Sequence, residues 1–249
     1  VRRSRLPRSV VQVAPGTTFV EGPVSNWVVM EDDDGLALID AGYPADATLV
    51  LDTVRAAGYD PADLRRIYVT HGHVDHIGGV PGILAAYPHV EVLAHRDEVA
   101  NVRGPGRAQV TPAAIGGRLA APRVLRWLVR AIRSDALRPT EIHTVRAFTP
   151  ADFDGRSITP FDAPGHTAGS TAYLLPTADA IVTGDAVVTH HDTQPRSWVP
   201  RPRMITPFFT EDVAAAIESA AVLPMPSVVL PGHGPAVRRV GTEWVPVSA

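Results

Sequence analysis

The chain has 249 residues, 45% of them hydrophobic and 20% charged, which fits one large soluble domain or two small ones. Its net charge of −3 gives no general affinity for nucleic acid or an anionic membrane. Cysteine is absent, which excludes disulfides, thiolate nucleophiles and thiolate metal sites, so any metal must be held by His, Asp or Glu.

No apolar run reaches the roughly 18 residues of a membrane span. The first ten residues carry Arg2, Arg3, Arg5 and Arg8 without the apolar stretch of a signal peptide, so a solvated tail and a cytoplasmic protein are expected. Short apolar or alternating runs then predict strands at Val10–Val13, Thr17–Val20, Val24–Met30 and Leu36–Ile39. Asp46–Ala57 has helical spacing and ends at Gly58. A strand at Arg66–Thr70, a helix at Gly79–Ala86 and a strand at Val90–Ala94 follow. Strands alternating with helices leave α/β and α+β open.

From Arg96 to Arg146 ten arginines face four acids, and Pro112–Asp135 within it has helical spacing, with Leu125, Leu128 and Ile132 on one face and Pro122 as an interruption. We read residues 96–146 as an Arg-rich helical insertion on a single domain spanning 1–249. The β pattern resumes at Ile142–Phe148, Ser157–Asp162, Thr171–Leu175, Ala180–Thr183 and Val228–Leu230. A helix is expected over Glu211–Leu223, capped near Thr210.

The densest chemical signal is His71-Gly72-His73-Val74-Asp75-His76, directly after the apolar run Ile67-Tyr68-Val69. Residues two apart in an extended segment point the same way, so His71 and His73 can converge on one ion, while Asp75 and His76 lie past a turn and face a second position. Four further segments place one ionisable side chain just beyond an apolar run, beside Gly or Pro: Asp40, His166, Asp185 and His233. Each alone is an ordinary loop; together with the histidine cluster they mark strand ends gathered around a site.

These five segments, in this order, resemble the five motifs of the metallo-β-lactamase superfamily, with the likeness running from about Val10 to the C-terminus outside the Arg-rich middle. The resemblance implies an α+β fold, an αβ/βα sandwich of two mixed β-sheets with helices on the outer faces. It implies that His71, His73 and His166 hold one metal, that Asp75, His76 and His233 hold a second, and that Asp185 bridges them. Asp40 would orient the ligand histidines from behind. Two Zn2+ suit this donor set, and iron or manganese also fit. A water shared by two dications ionises near neutral pH and becomes the nucleophile that cleaves an ester, thioester or lactone, with Asp75 orienting it.

The expected partner is a small-molecule substrate, with no nucleic acid and no membrane; the sequence sets no oligomeric state. Asp185 argues against the β-lactamases that lack a cysteine ligand, and no glutathione-binding basic residues are evident for a glyoxalase II. His190 and His191, just after Asp185, are candidate substrate contacts or solvated loop residues. Arg196, with Arg201 and Arg203, offers paired donors for a carboxylate or phosphate. Trp127, with Leu128 and Ile132, either walls an apolar pocket for an acyl chain or packs the insertion onto the scaffold. Two rival functions carry the same residues: a mononuclear iron dioxygenase acting on persulfides, and a metal-loaded binding protein without turnover.

Overall fold

The structure is a computed structural model and describes residues 6–104, 116–195 and 199–248. Seven strands form the first sheet: β1 (Ser9–Ala14), β2 (Thr17–Glu21), β3 (Trp27–Asp32), β4 (Gly35–Ile39), β5 (Leu64–Tyr68), β6 (Glu91–Ala94) and β7 (Arg146–Ala147), side by side in that order. Strands β1 to β4 run antiparallel, and β4 to β7 run parallel. The second sheet holds β8 (Thr159–Asp162), β9 (Thr171–Leu175), β10 (Ala180–Gly184), β11 (Val228–Pro231), β12 (Val237–Val240) and β13 (Glu243–Pro246), with only the central β10–β11 pair parallel. Both sheets are therefore mixed.

Side-chain alternation makes the layers. Val28, Met30, Ile39 and Tyr68 face inward and meet Tyr173, Val182 and Leu230 of the other sheet. Their neighbours Val29, Leu38 and Ile67 face outward, where Leu49, Val50 and Val54 of α1 (Ala47–Ala56) and Ile83 of α3 (Val80–Ala86) cover them. Between these two helices lies the single turn α2 (Val74–Ile77), and the short α4 (Val99–Arg103) follows β6. On the far side, Ile181 and Val229 pack near Leu223 and Ala220 at the end of α6 (Val213–Val222). The result is a two-sheet α+β sandwich with helices outside, as the motif resemblance implies.

The periodic elements stand within a few residues of their expected places; the exceptions have physical causes. β3 begins at Trp27 because Val24, Ser25 and Asn26 are drawn off into a loop that bonds to the opposite sheet: the Asn26 amide donates to Gly232 O, and its side chain to Pro231 O and Gly234 O. The strand expected over Ile142–Phe148 shrinks to two residues, since Ile142 and Val145 bury themselves in the outer core from a turn instead. The C-terminal helix is capped by Asp212, not Thr210; its carboxylate accepts from the Ala215 amide at 3.0 Å. The hairpin β12–β13 has no counterpart in the expected elements.

The insertion helix also differs. Helix α5 runs over Pro122–Arg133 after a 3-10 segment at Gly116–Ala120, and residues 105–115 lie outside the described part. Pro122 starts this helix, where its missing N–H costs nothing, and does not interrupt it. The inward face carries Val124, Trp127 and Ala131, and of these Trp127 and Ala131 dock on Val24, Tyr43 and Val74 beside the motif loops. Leu125 (49% exposed) and Ile132 (45%) point away, so the face expected inward lies outward. The seat beside Tyr43 takes a small residue at 131, and that choice rotates the helix.

Candidate metal centre

Each singled-out residue sits just beyond a strand: Asp40 after β4, His71 to His76 after β5, His166 after β8, Asp185 after β10 and His233 after β11. Because β4–β5 and β10–β11 are parallel pairs, their C-terminal ends share an edge of each sheet. Hydrogen bonds from Thr171 N to Thr70 O and from Asn26 N to Gly232 O close the two edges together, while Ala41 N to His76 O and Gly232 N to Gly184 O tie the loops within each edge.

All five histidines and two aspartates meet there. His71 Nε2, His73 Nδ1 and His166 Nε2 form a triangle with edges of 3.0 to 3.2 Å. Donors about 2.0–2.1 Å from a tetrahedral zinc lie roughly 3.3 Å apart, so the triangle has nearly the size of such a face. Asp185 follows, with Oδ2 3.5 Å from His166 Nε2 and 3.3 Å from His233 Nε2, and Oδ1 3.4 Å from His76 Nε2. Asp75 Oδ2 lies 3.3 Å from His233 Nε2 and 3.9 Å from His76 Nε2. Three donor groups able to hold a cation result: His71/His73/His166, His71/His76/Asp185 and Asp75/His76/His233.

Partners behind the rings fix which nitrogens face inward. Asp40 Oδ2 receives both the Thr70 hydroxyl and His76 Nδ1, each at 2.7 Å, while Oδ1 receives the Thr70 amide at 2.9 Å. The Thr70 hydroxyl, its proton committed to Asp40, accepts from His71 Nδ1 at 3.1 Å. His233 Nδ1 donates to Val24 O at 3.0 Å. With Nδ1 of His71, His76 and His233 so occupied, each neutral ring turns a bare Nε2 lone pair to the centre. His76 Nε2 and Asp185 Oδ1 are buried with no hydrogen-bond partner, which a protein tolerates rarely outside a ligand site. The donor set and these orphaned atoms fit a metal.

The electrostatics divide the site in two. Burial, reinforced by neighbouring rings, holds His71 well below the ordinary imidazole value, and pushes His166 down to about 3. These rings are neutral. Burial also opposes charge on His76 and His233, but the carboxylates outweigh it: Asp185, Asp40 and Asp75 hold His76 well above its usual value, and Asp185 with Asp75 raises His233 to about 10. Against burial, His76 and His233 in turn hold Asp75 and Asp185 below the carboxylate range. The Asp-rich side therefore attracts positive charge strongly.

The peripheral candidates fare unequally. His191 is buried and its ring lies 4.8 Å from that of His233, walling the site together with Trp127 and Phe209. His190 lines a groove beside it, with Arg126, Arg130 and Asp192 on the other bank. Another histidine, His95 just after β6, meets Phe148 edge-on and stands by Asp97 and Asp162, outside the cluster. Arg196 lies outside the described residues.

Glu98 was not foreseen, and it is fully buried. Its Oε2 accepts from the Gly72 amide at 2.7 Å and its Oε1 from the Gly169 amide at 3.1 Å, with the Asn101 side-chain amide beside both oxygens. One carboxylate thus pins the loop of His71 and His73 to the loop of His166. A Cβ at 72 would stand 2.6 Å from Asn101 Cβ, and one at 169 would stand 2.7 Å from Glu98 N, so both loops need glycine there. An acid at the cap position of a short helix, Val99–Arg103, carries no sequence signal of this role.

The sequence profile of the "Metallo-beta-lactamase superfamily" matches residues 20–233. Among curated relatives, the chain is 42% identical over 72 residues to a hydroxyacylglutathione hydrolase of Vibrio parahaemolyticus, 29% of this chain and 26% of that one. It is 28% identical over 208 residues to the probable metallo-hydrolase YflN of Bacillus subtilis, covering 79% and 74%. The match thus spans about a quarter of the hydroxyacylglutathione hydrolase but most of YflN. Among solved structures, a metallo-beta-lactamase of Cronobacter sakazakii superposes with a TM-score of 0.61 at 21% identity over 92% of this chain and 79% of that one. A B3 metallo-beta-lactamase with an active-site glutamic acid gives 0.62 at 19% identity over 95% and 85%. The two-sheet sandwich and the grouped His and Asp donors agree with these matches. The chain belongs to the metallo-beta-lactamase superfamily.

Two expectations follow from the supports behind the rings. Asp40→Ala removes the acceptor shared by Thr70 and His76 and should weaken metal binding by about 10- to 100-fold with the fold intact, read by chelator competition and circular dichroism; unaltered affinity would show that the histidines orient themselves. Glu98→Gln sets an amide N–H2 against a backbone N–H in a dry site and should cost about 1–3 kcal/mol, read by thermal or urea unfolding. An unchanged unfolding midpoint would mean the loops do not depend on that carboxylate.

Proposed function

We propose that the chain is a binuclear metal-dependent hydrolase that cleaves an ester, thioester or lactone of a small molecule, built as one domain with residues 96–146 as an insertion. The observation that carries this reading is the convergence of five imidazoles and two carboxylates, with Asp185 between a three-histidine triangle and the Asp75/His76/His233 group. His71, His73 and His166 would hold one ion and Asp75, His76 and His233 the other, with Asp185 shared. Zinc suits neutral imidazole and carboxylate donors, and iron or manganese are accommodated by the same set.

Bound at such a pair of positions, metal ions polarise a carbonyl oxygen and bring the pKa of water to near 7. The chain's own contribution is orientation. Asp40 and Thr70 hold the rings, and Asp75, whose side chain keeps 16% exposure to the cleft, is placed to orient the attacking water and accept its proton. His191, Trp127 and Phe209 form a wall that keeps bulk water from one side. The relatives named as hydroxyacylglutathione hydrolases favour a thioester among the three bond types.

Asp185→Asn decides between this and a simpler site. Wild-type protein should bind close to two metal equivalents and hydrolyse members of an ester, thioester and lactone panel. The variant should lose the activity and about one equivalent, because a neutral amide cannot offset two neighbouring cations. Full activity in the variant would rule out a shared carboxylate.

A further inference from the structure

Beside the metal centre lies a cavity of about 560 Å³, within the range of small-molecule sites. Its walls are Val124 and Trp127 of α5 together with Met204, Ile205, Phe208 and Phe209 of the loop before α6. Two successive ring contacts of 4.8 Å each, His233 to His191 and His191 to Phe209, separate it from the candidate ligand His233. Together they span at most about 9.6 Å, roughly the length of an extended arm of seven or eight carbons. The Trp127 indole Nε1 is buried there without a partner.

The charge on the lining is one-sided. Arg118, Arg123 and Arg203 contribute guanidinium groups, and no Asp or Glu is among the lining residues. Arg118 lies over the Phe208 ring, 4.2 Å from its centre, and Arg123 Nε donates to the Thr193 carbonyl. Those contacts orient the two cations without neutralising them. An apolar hollow with cations set into its wall fits an apolar chain that carries an anionic group.

We propose that this cavity is the specificity subsite for the acyl arm, and that the substrate class is an ester or thioester whose apolar acyl chain bears an anionic group. The scissile carbonyl would sit at the metal centre, with the arm running past the packed rings of His191, Trp127 and Phe209 to reach the cavity on their far side. The proposal rests on the hydrolase reading above. Trp127 and Phe209 act here by contact with the arm, Arg118 and Arg123 by charge.

The test is a series of N-acetylcysteamine thioesters with acetyl, hexanoyl, octanoyl, decanoyl and dodecanoyl arms, together with the ω-carboxylated decanoyl and dodecanoyl arms, on protein of known metal content. For the wild type, kcat/KM should rise about threefold per added methylene once the arm is long enough to enter the cavity, beyond roughly eight carbons. An ω-carboxylate should add about tenfold over the neutral arm of the same length. Val124→Trp, which fills the cavity from α5, should flatten the dependence on chain length, with metal content and circular dichroism reporting that it folds. Phe208→Ala, which shaves the opposite wall, should lower the gain per methylene and serves if the first variant does not fold. Arg118→Ala with Arg123→Ala should remove the carboxylate preference and keep the dependence on length. Hydrolysis of the acetyl thioester with no gain along the series would overturn the subsite and leave the hydrolase reading standing. Hydrolysis of nothing on the panel would overturn the hydrolase reading. Calorimetric titration with octanedioate then decides the cavity alone: saturable binding lost in the cavity variants supports it, and absence of binding overturns it.

Discussion

The Asp40 carboxylate is the constraint on which the candidate centre depends. It stands in the left-handed region with φ of 63°, a conformation that costs a non-glycine residue about 1–2 kcal/mol and turns the chain sharply at the end of β4. That turn aims both oxygens across at the β5 loop, where they receive one amide, one hydroxyl and one imidazole N–H. Through the Thr70 hydroxyl the same carboxylate reaches a second ring, His71. A single buried acid thus sets the orientation of two histidines that face the centre from neighbouring positions. The strain is offset by three hydrogen bonds to an ionised acceptor, each stronger than a neutral pair.

The two sheets are tied together by groups that do not face the centre. Glu98 joins the β5 loop to the loop after β8, Asn26 joins the start of β3 to the loop after β11, and the Tyr173 hydroxyl donates to Val69 O at 2.8 Å across the inner core. Gly232 lies so close to Asp185 and His76 that a side chain there would displace both. The donor positions are therefore set by backbone contacts across the sandwich and not by the strands alone. Such cross-links hold seven ionisable side chains within a few ångströms, where each like-charge pair would otherwise push its loop outward.

The candidate centre was legible because each of its groups carries a local cue: an apolar run, a turn residue and one ionisable side chain. The H-x-H-x-D-H string and the Gly-His and Gly-Asp pairs need no knowledge of the fold to be noticed. Glu98, Ser25 and Asn26 carry no such cue, since what they do is defined by partners distant in the chain: Gly72 and Gly169 for Glu98, Asp75 for Ser25 and Gly234 for Asn26. The same limit explains the insertion helix. Its apolar residues occur on more than one face, and only contact with Val24, Tyr43 and Val74 selects Trp127 and Ala131 as the docking set. Periodicity located the helix; the surface beneath it chose the face.

Charge balance gives the centre its remaining logic. Asp40, Asp75 and Asp185 place three carboxylates in a nearly dry volume, and buried charge of one sign needs compensation close by. His76 and His233 supply it as imidazolium, which is why their affinity for protons rises while that of His71, His73 and His166 falls. Divalent cations would supply it more strongly, displacing those two protons and restoring bare Nε2 donors. A metal cation would be held most firmly on the side of Asp75, Asp185 and His233, next to the ring wall of His191, Trp127 and Phe209, where little water screens the carboxylates.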